Sequence, residues 1–297
     1  MVKIAVIGSC SIDLTVEADC RPGAGETIIG SRLIVAPGGK GANQAVAAAR
    51  LGAQVQMIGC VGDDAYGKMI VDNLQTNKVD TAYVKVLPGH SSGTAHITLA
   101  EGDNSIIVVK GANDLVTPAH IDAAWPAIAA ADLVMLQHEI PLATIGYIID
   151  KCAAAGVKVL LNPAPVQPIA ADWLTKVTYV TPNEHEAAAL YPGKTSDEIL
   201  LLQEERFLIT LGKAGVAYAS GGSVHTVPAF TVAARDTTGA GDTFNSAFAV
   251  ARCSSRSLTD SIRFANAAAA LSVQKIGAQG GMPSLKEVER MLETCKK

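Results

Sequence analysis

Aromatic residues are scarce in this 297-residue sequence, at 4%. A chain so poor in large flat side chains and so rich in small ones fits helices packed closely on a sheet better than an all-β sandwich. Positive charge is lacking too, with a formal net charge of -4. Without a strong positive field nucleic acid is excluded as a partner, whereas a small anionic cofactor needs only a local anion hole. No stretch approaches the ~18 apolar residues of a membrane span, and the opening Met1-Val2-Lys3-Ile4 is too β-branched for a secretion signal. The six cysteines, at 10, 20, 60, 152, 253 and 295, never stand at metal-ligand spacing. They read as free thiols of a reducing compartment, and the chain as soluble and cytoplasmic. A GxGxxG fingerprint is missing after the first apolar run, where Gly8-Ser9-Cys10-Ser11-Ile12 stands, so a nicotinamide-dependent oxidoreductase loses its main support. Gly193-Lys194-Thr195 resembles the end of a phosphate loop, but Ala188 replaces its first glycine, and the match is a decoy.

Hydrophobic residues at 49% and charged residues at 18% fit a compact fold. Apolar runs at 4–8, 55–61, 133–137, 157–161, 177–181 and 207–210 predict strands covered on both faces. Helical patterns lie at 43–51, 65–75, 118–131, 142–155, 184–190, 242–252, 258–275 and 284–293. The alternation predicts an α/β fold with a mostly parallel central sheet between helices. Two regions, about 12–36 and 91–110, carry no helix signal; the second reads as a hairpin turning at Glu101-Gly102-Asp103-Asn104. Together they predict a small β-sheet outside the core, suited to act as a lid on one domain spanning 1–297. A further hairpin at 216–219 and 223–227 closes one sheet edge.

Three glycine- or asparagine-bearing helix starts carry the chemistry. In DTTGAGDTF at 236–244, Gly239, Ala240 and Gly241 let backbone N–H groups converge at a helix N-terminus, an anion hole for phosphate. Asp242 there reads either as a helix cap or as a general base. In PGGKGANQA at 37–45, Lys40 and Asn43 are polar groups at an apolar helix start, fit for sugar hydroxyls or simply for a capped tight turn. In TPNEHE at 181–186, Asn183 and Glu186 share one helix face and could orient Mg²⁺-bound waters, or form a capping box.

These residues together resemble the ribokinase-like (PfkB) carbohydrate kinase family over nearly the full length. GGKGANQAVAAARLG and DTTGAGDTFNSAF look like its two signatures, and Asp13, LQHE at 136–139, NPAP at 162–165, TPNE at 181–184 and ITLG at 209–212 follow in order. The resemblance implies a three-layer α/β/α fold with a β-sheet lid that often mediates dimerisation. It implies an ATP-dependent kinase acting on the terminal primary hydroxyl of a ribose-like sugar, with Asp242 as base and Gly239, Ala240 and Gly241 as anion hole. Ser11, Asp13, Gly39, Lys40, Asn43 and Glu139 match sugar-binding positions. Asn183, Thr210, Gly212, Gly215 and Asn266 match nucleotide positions, and Glu186 falls where members organise Mg²⁺. Asp236, Thr238, Ser272, Lys275, Gly277 and Gly281 match a monovalent-cation site, K⁺ being the expected ion.

The sequence departs from the family at Ser11, where ribose-phosphorylating members carry Asn, and at Gly281, where they carry Ser. A serine offers one hydroxyl in place of an amide, so selectivity for another sugar or nucleoside, such as 2-deoxyribose or a hexose, stays open. His96 stands at a usually apolar lid position and reads as solvent-facing, and the stretch 191–206 is short for the family, which truncates a helix there. A catalytically weak sugar-binding protein is the alternative from another class.

Overall fold

The computed structural model describes residues 1–294. Its first half runs β1 (Lys3–Ile7), β2 (Ser11–Glu17), β3 (Arg32–Gly38), α1 (Lys40–Arg50), β4 (Gln54–Gly62), α2 (Ala65–Thr76), β5 (Asp80–Leu87), β6 (Gly93–Ala100) and β7 (Asp103–Val109). Then follow α3 (Pro118–Ala129), β8 (Leu133–Gln137), α4 (Leu142–Ala155), β9 (Val159–Asn162), α5 (Trp173–Lys176), β10 (Tyr179–Val180), α6 (Glu184–Leu190) and α7 (Ser196–Leu202). The chain ends with β11 (Ile209–Thr210), β12 (Val216–Ser220), β13 (Ser223–Val227), α8 (Ala240–Cys253), α9 (Leu258–Ser272) and α10 (Leu285–Thr294).

Six parallel strands form the central sheet in the order β10-β9-β8-β1-β4-β5. Successive β1 side chains alternate between two apolar layers. Ile4 and Val6 join the cluster under α1, α2, α8 and α9, whereas Ala5 and Ile7 join the cluster under α3 and α4. The result is the expected three-layer α/β/α arrangement. Alanine and glycine let α1 sit close to the sheet: a Cβ on Gly41 would come within 2.6 Å of the Gly8 and Ser9 backbone.

The two helix-free regions meet in a separate four-stranded sheet, ordered β3-β2-β6-β7. Its β2 and β6 run parallel and the outer pairs antiparallel. Asp64, the N-cap of α2, holds this sheet to the core by accepting from Ser92 N at 2.8 Å and Ser92 Oγ at 2.7 Å.

Several boundaries differ from expectation. The strand expected at 207–210 contributes only Ile209 and Thr210, paired antiparallel with β12; single bridges from Phe207 to Val180 and from Thr210 to Asn183 tie it to the central sheet. The helix expected at 258–275 ends at Ser272, where the carbonyl of its C-cap Val273 accepts from Arg235 N and Asp236 N of the loop before α8. β5 went unread: its Asp80, Thr81 and Lys85 interrupt the apolar pattern at a sheet edge. The 191–206 stretch keeps a short helix, α7, whose Thr195 and Glu198 form a capping box, which gives the decoy GKT a purely structural job. Among the described cysteines, Cys10, Cys20, Cys60, Cys152 and Cys253 are free thiols, while Cys295 lies outside the described residues. No described helix is long and apolar enough to cross a membrane.

Candidate active site

Two helix starts define the site at the carboxyl ends of the parallel strands, where open α/β sheets bind ligands. Both begin on a glycine with positive φ, Gly39 at 86° before α1 and Gly239 at 76° before α8, and neither helix has a side-chain cap. A Cβ on Gly239 would meet Ala278 at 2.9 Å and one on Gly39 would meet Ser11 N at 2.9 Å, so both backbone and space require glycine. In α8 the first intrahelical bond runs from Thr243 N to Gly239 O at 2.9 Å. The N–H groups of Gly241 and Asp242 precede it, and nothing lies within 4 Å of where a Cβ on Gly241 would stand.

Asp242 is not the N-cap; that position is Gly239. Its carboxylate, only 6% exposed, accepts from Asn43 Nδ2 at 3.0 Å and from Gln44 Nε2 at 3.0 Å. An acidic side chain buried in the first helical turn and held by two neutral amide donors keeps lone pairs for a further proton donor.

Around it converge the expected sugar positions. Glu139 Oε2 accepts from Ser9 Oγ at 2.5 Å and from Lys40 N at 2.9 Å. Asp13 packs its carboxylate against Gly38, where any side chain would collide with it. Burial, reinforced by the charges of Glu139 and Asp242 and offset by Lys40, pushes the Asp13 carboxyl up to about 6. Burial alone would pull the Lys40 ammonium down, but Asp242, Glu139, Glu186 and Asp13 together hold it above its ordinary value. One cation thus sits among four carboxylates. Ser11 is buried, and its Oγ accepts from Asn113 Nδ2 at 3.3 Å.

Beyond the α8 turn lies a cavity of about 570 Å³, of the size that small-molecule cofactors occupy. Thr210, Gly212, Gly215 and Asn266 line it, beside Ala240 and Gly241. Asn266 Nδ2 donates to Val227 O and Pro228 O at 3.0 and 3.1 Å, which leaves its oxygen available. Asn183 is not part of that lining; it caps α6 in a reciprocal box with Glu186, each accepting from the other's backbone N–H at 2.8 Å. One Glu186 oxygen is occupied by that cap, and burial, opposed by the Asn183 bond and Lys40, raises its carboxyl. Among the described residues no three His, Cys, Asp or Glu side chains cluster as a metal site.

The expected cation positions are brought together unevenly. Asp236 accepts from Thr238 N at 2.9 Å and from Gly277 N at 2.8 Å, joining the loop before α8 to the loop after α9. Gly281 packs flush on the Ser272 carbonyl, which explains glycine there, and the Lys275 charge acts on Glu287 of α10. His96 is exposed on β6 beside Thr94 Oγ1 at 3.0 Å, as a solvent-facing residue should be. Sequence reasoning left out Gln44, Ser9 and Asn113. The available signal was the second amide, Gln44, directly after Asn43 at a helix start with few other polar groups.

Comparisons with known proteins bear on this site. Residues 1–285 match the pfkB family carbohydrate kinases. A ribokinase of Bacillus subtilis (strain 168) is 53% identical over 292 residues, covering 98% of this chain and 100% of that protein. A crystal structure of a ribokinase from Thermotoga maritima superposes with a TM-score of 0.90 at 34% identity, over 99% of this chain and 100% of that one. An Arabidopsis thaliana ribokinase complexed with ribose and ATP superposes with a TM-score of 0.89 at 33% identity, over 99% of both chains.

Proposed function

The chain belongs to the pfkB family of carbohydrate kinases, and from that premise we propose that it transfers the γ-phosphoryl group of ATP to the terminal primary hydroxyl of ribose or a close relative. The observation that carries the reading is the Asp242 carboxylate, held by Asn43 and Gln44 at the start of α8 between the acidic sugar cluster and the nucleotide-sized cavity. The Arabidopsis relative complexed with ribose and ATP supports both ligands.

In this reading Ser11, Asp13, Gly39, Lys40, Asn43 and Glu139 bind the sugar. Glu139 has one oxygen tied down by Ser9 and Lys40 N, so its other oxygen selects a hydroxyl. Thr210, Gly212, Gly215 and Asn266 receive the nucleotide, and Asn183 stands at its edge. Asp242 takes the hydroxyl proton as the sugar oxygen bonds to phosphorus and the bond to the ADP oxygen breaks. The carboxylate need not be strongly basic, because the alcohol sheds its proton mainly as transfer proceeds. The Gly239-Ala240-Gly241 turn presents N–H groups to the moving charge, and Lys40 adds a positive charge to the same space.

Mg²⁺, when bound with ATP, neutralises phosphate charge; Glu186 has one uncommitted oxygen and fits a role through metal-bound water. The loops joined by Asp236 fit a monovalent cation such as K⁺ bound chiefly by carbonyls, with Thr238, Ser272, Lys275, Gly277 and Gly281 contributing from the same stretch. The four-stranded sheet acts as the lid, and its outer strands carry a homodimer contact: all of β7 is exposed, including Ile106, Ile107, Val108 and Val109. Free thiols support work in the reducing cytoplasm.

A second sugar is favoured by one observation. Ser11 Oγ already accepts from Asn113, so it offers the ligand its hydroxyl hydrogen and one remaining lone pair, on a shorter side chain than an amide. ADP release from ATP and Mg²⁺ against ribose, 2-deoxyribose, hexoses and nucleosides, with and without K⁺, tests the reading. Preference for ribose supports the first assignment, and preference for another sugar makes Ser11 the selecting residue. Sugar binding with no ADP release from any of them rejects the kinase reading in favour of a sugar-binding protein.

A further inference from the structure

A line of side-chain amides runs from Arg50, at the end of α1, to Asp242 at the start of α8. Arg50 Nε donates to Asn77 Oδ1 at 2.9 Å, and Asn77 Nδ2 donates to Asn73 Oδ1 at 3.3 Å. Asn73 Nδ2 donates to Gln279 Oε1 at 2.7 Å, Gln279 Nε2 to Asn43 Oδ1 at 3.0 Å, and Asn43 Nδ2 to Asp242 Oδ2 at 3.0 Å. Among the described residues, the line crosses three segments with no backbone hydrogen bond between them: the α2 C-terminus, the loop after α9 and the α1 N-terminus.

The two ends fix its direction. A guanidinium can only donate and an ionised carboxylate can only accept, whereas each amide between them can do both. With a donor at one end and an acceptor at the other, every amide has one orientation that leaves no pair of like atoms facing. Asn43 and Gln279 are 6% and 7% exposed, so water cannot cheaply repair a reversal there.

We propose that Asn73, Asn77 and Gln279 are positioning residues that set the polarity of Asn43, and through it keep an N–H rather than a carbonyl oxygen against Asp242. The relay leaves Asn43 its second N–H for the sugar, so one polarity serves both base and substrate. This rests on the reading of Asp242 as the base. Gln44 is oriented in the same manner from the other side, since Gln137 Nε2 donates to its Oε1 at 2.7 Å.

The test is Asn73→Asp, a change of nearly identical shape two amides away from Asn43. A carboxylate at 73 can no longer donate, so Gln279 turns its NH₂ toward it, Asn43 follows, and a carbonyl oxygen faces Asp242. Loss of one charge-assisted hydrogen bond corresponds to a fall in kcat of about 10- to 100-fold. In a Gln279→Met background, where no amide transmits the change, Asn73→Asp should cost nothing further, with melting temperature followed in parallel. Gln279→Glu, which keeps the acceptor for Asn73 but loses the donor to Asn43, should show the same fall should Asn73→Asp not fold. An unchanged kcat in both variants, or an equal fall from Asn73→Asp with and without Gln279, overturns the relay. Asp242→Ala separates the two readings: normal turnover there rejects the base itself, whereas an inactive Asp242→Ala beside a fully active Asn73→Asp rejects only the relay.

Discussion

Asn43 and Asp242 stand 199 residues apart in sequence and 3.0 Å apart in space, joining the first turn of α1 to the first turn of α8. This contact makes one site of the two glycine-led helix starts. The Asn43 side brings Lys40 and, through it, Glu139; the Asp242 side brings the anion-binding turn and the cavity beyond it. With the second bond from Gln44, this contact places the proposed sugar side and the proposed phosphate side against the same carboxylate.

Gly241 allows the proposed anion-binding turn to be tested apart from folding. It lies in the first turn of α8 with no atom within 4 Å of a would-be Cβ, and its φ is not positive. Gly241→Ala should keep the melting temperature or raise it slightly, since alanine favours a helix by up to about 1 kcal/mol. In the proposed reading the added methyl fills the space that would receive the phosphoryl group, so kcat should fall at least tenfold. A normal kcat places the phosphate elsewhere.

Asp13 sets a pH dependence. Its carboxyl, raised from 3.8 to about 6 in the free protein, is ionised above that pH and protonated below it. If the carboxylate form binds sugar hydroxyls, kcat/KM for the sugar should drop as pH falls through about 6, roughly tenfold per unit below it. Asp13→Asn should lower kcat/KM overall and remove this inflection. An inflection that survives the substitution assigns it to another group.

The proposed homodimer contact is testable on the exposed face of β7. Ile107 is 71% exposed on β7. Ile107→Glu should shift the protein from dimer to monomer in sedimentation experiments while leaving its melting temperature within a few degrees, because the side chain leaves no core. A wild-type protein that is monomeric at all concentrations tested removes the dimer from the account.

Much of this was legible in the sequence. The alternation of apolar runs and helical patterns was enough for three layers, because β1, β4 and β8 are largely buried on both faces and their polar residues, such as Gln56 and Gln137, are too few to break the apolar runs. β5 escaped because Asp80, Thr81 and Lys85 break its apolar pattern at a half-covered sheet edge, as they would in a loop. The glycines before α8 announced converging backbone N–H groups at a helix start, and the structure adds the contacts that require glycine at both starts: Ala278 over Gly239 and Ser9 over Gly41. Sequence reasoning left the Asn183 and Glu186 pair open between cap and metal role; the reciprocal cap is present, and it still spares one Glu186 oxygen. The amide line from Arg50 to Asp242 could not be read, because its members are scattered over α1, α2, the 279 loop and α8 and no local pattern marks them.

The most direct test of the central claim is phosphoryl transfer by Asp242→Ala under saturating ATP, Mg²⁺ and the preferred sugar, with sugar affinity measured separately by calorimetry. General-base catalysis is worth about 10²- to 10⁴-fold, so turnover should fall by that range while sugar affinity changes little. Turnover within a few-fold of the unaltered protein contradicts the assignment of Asp242 as the base.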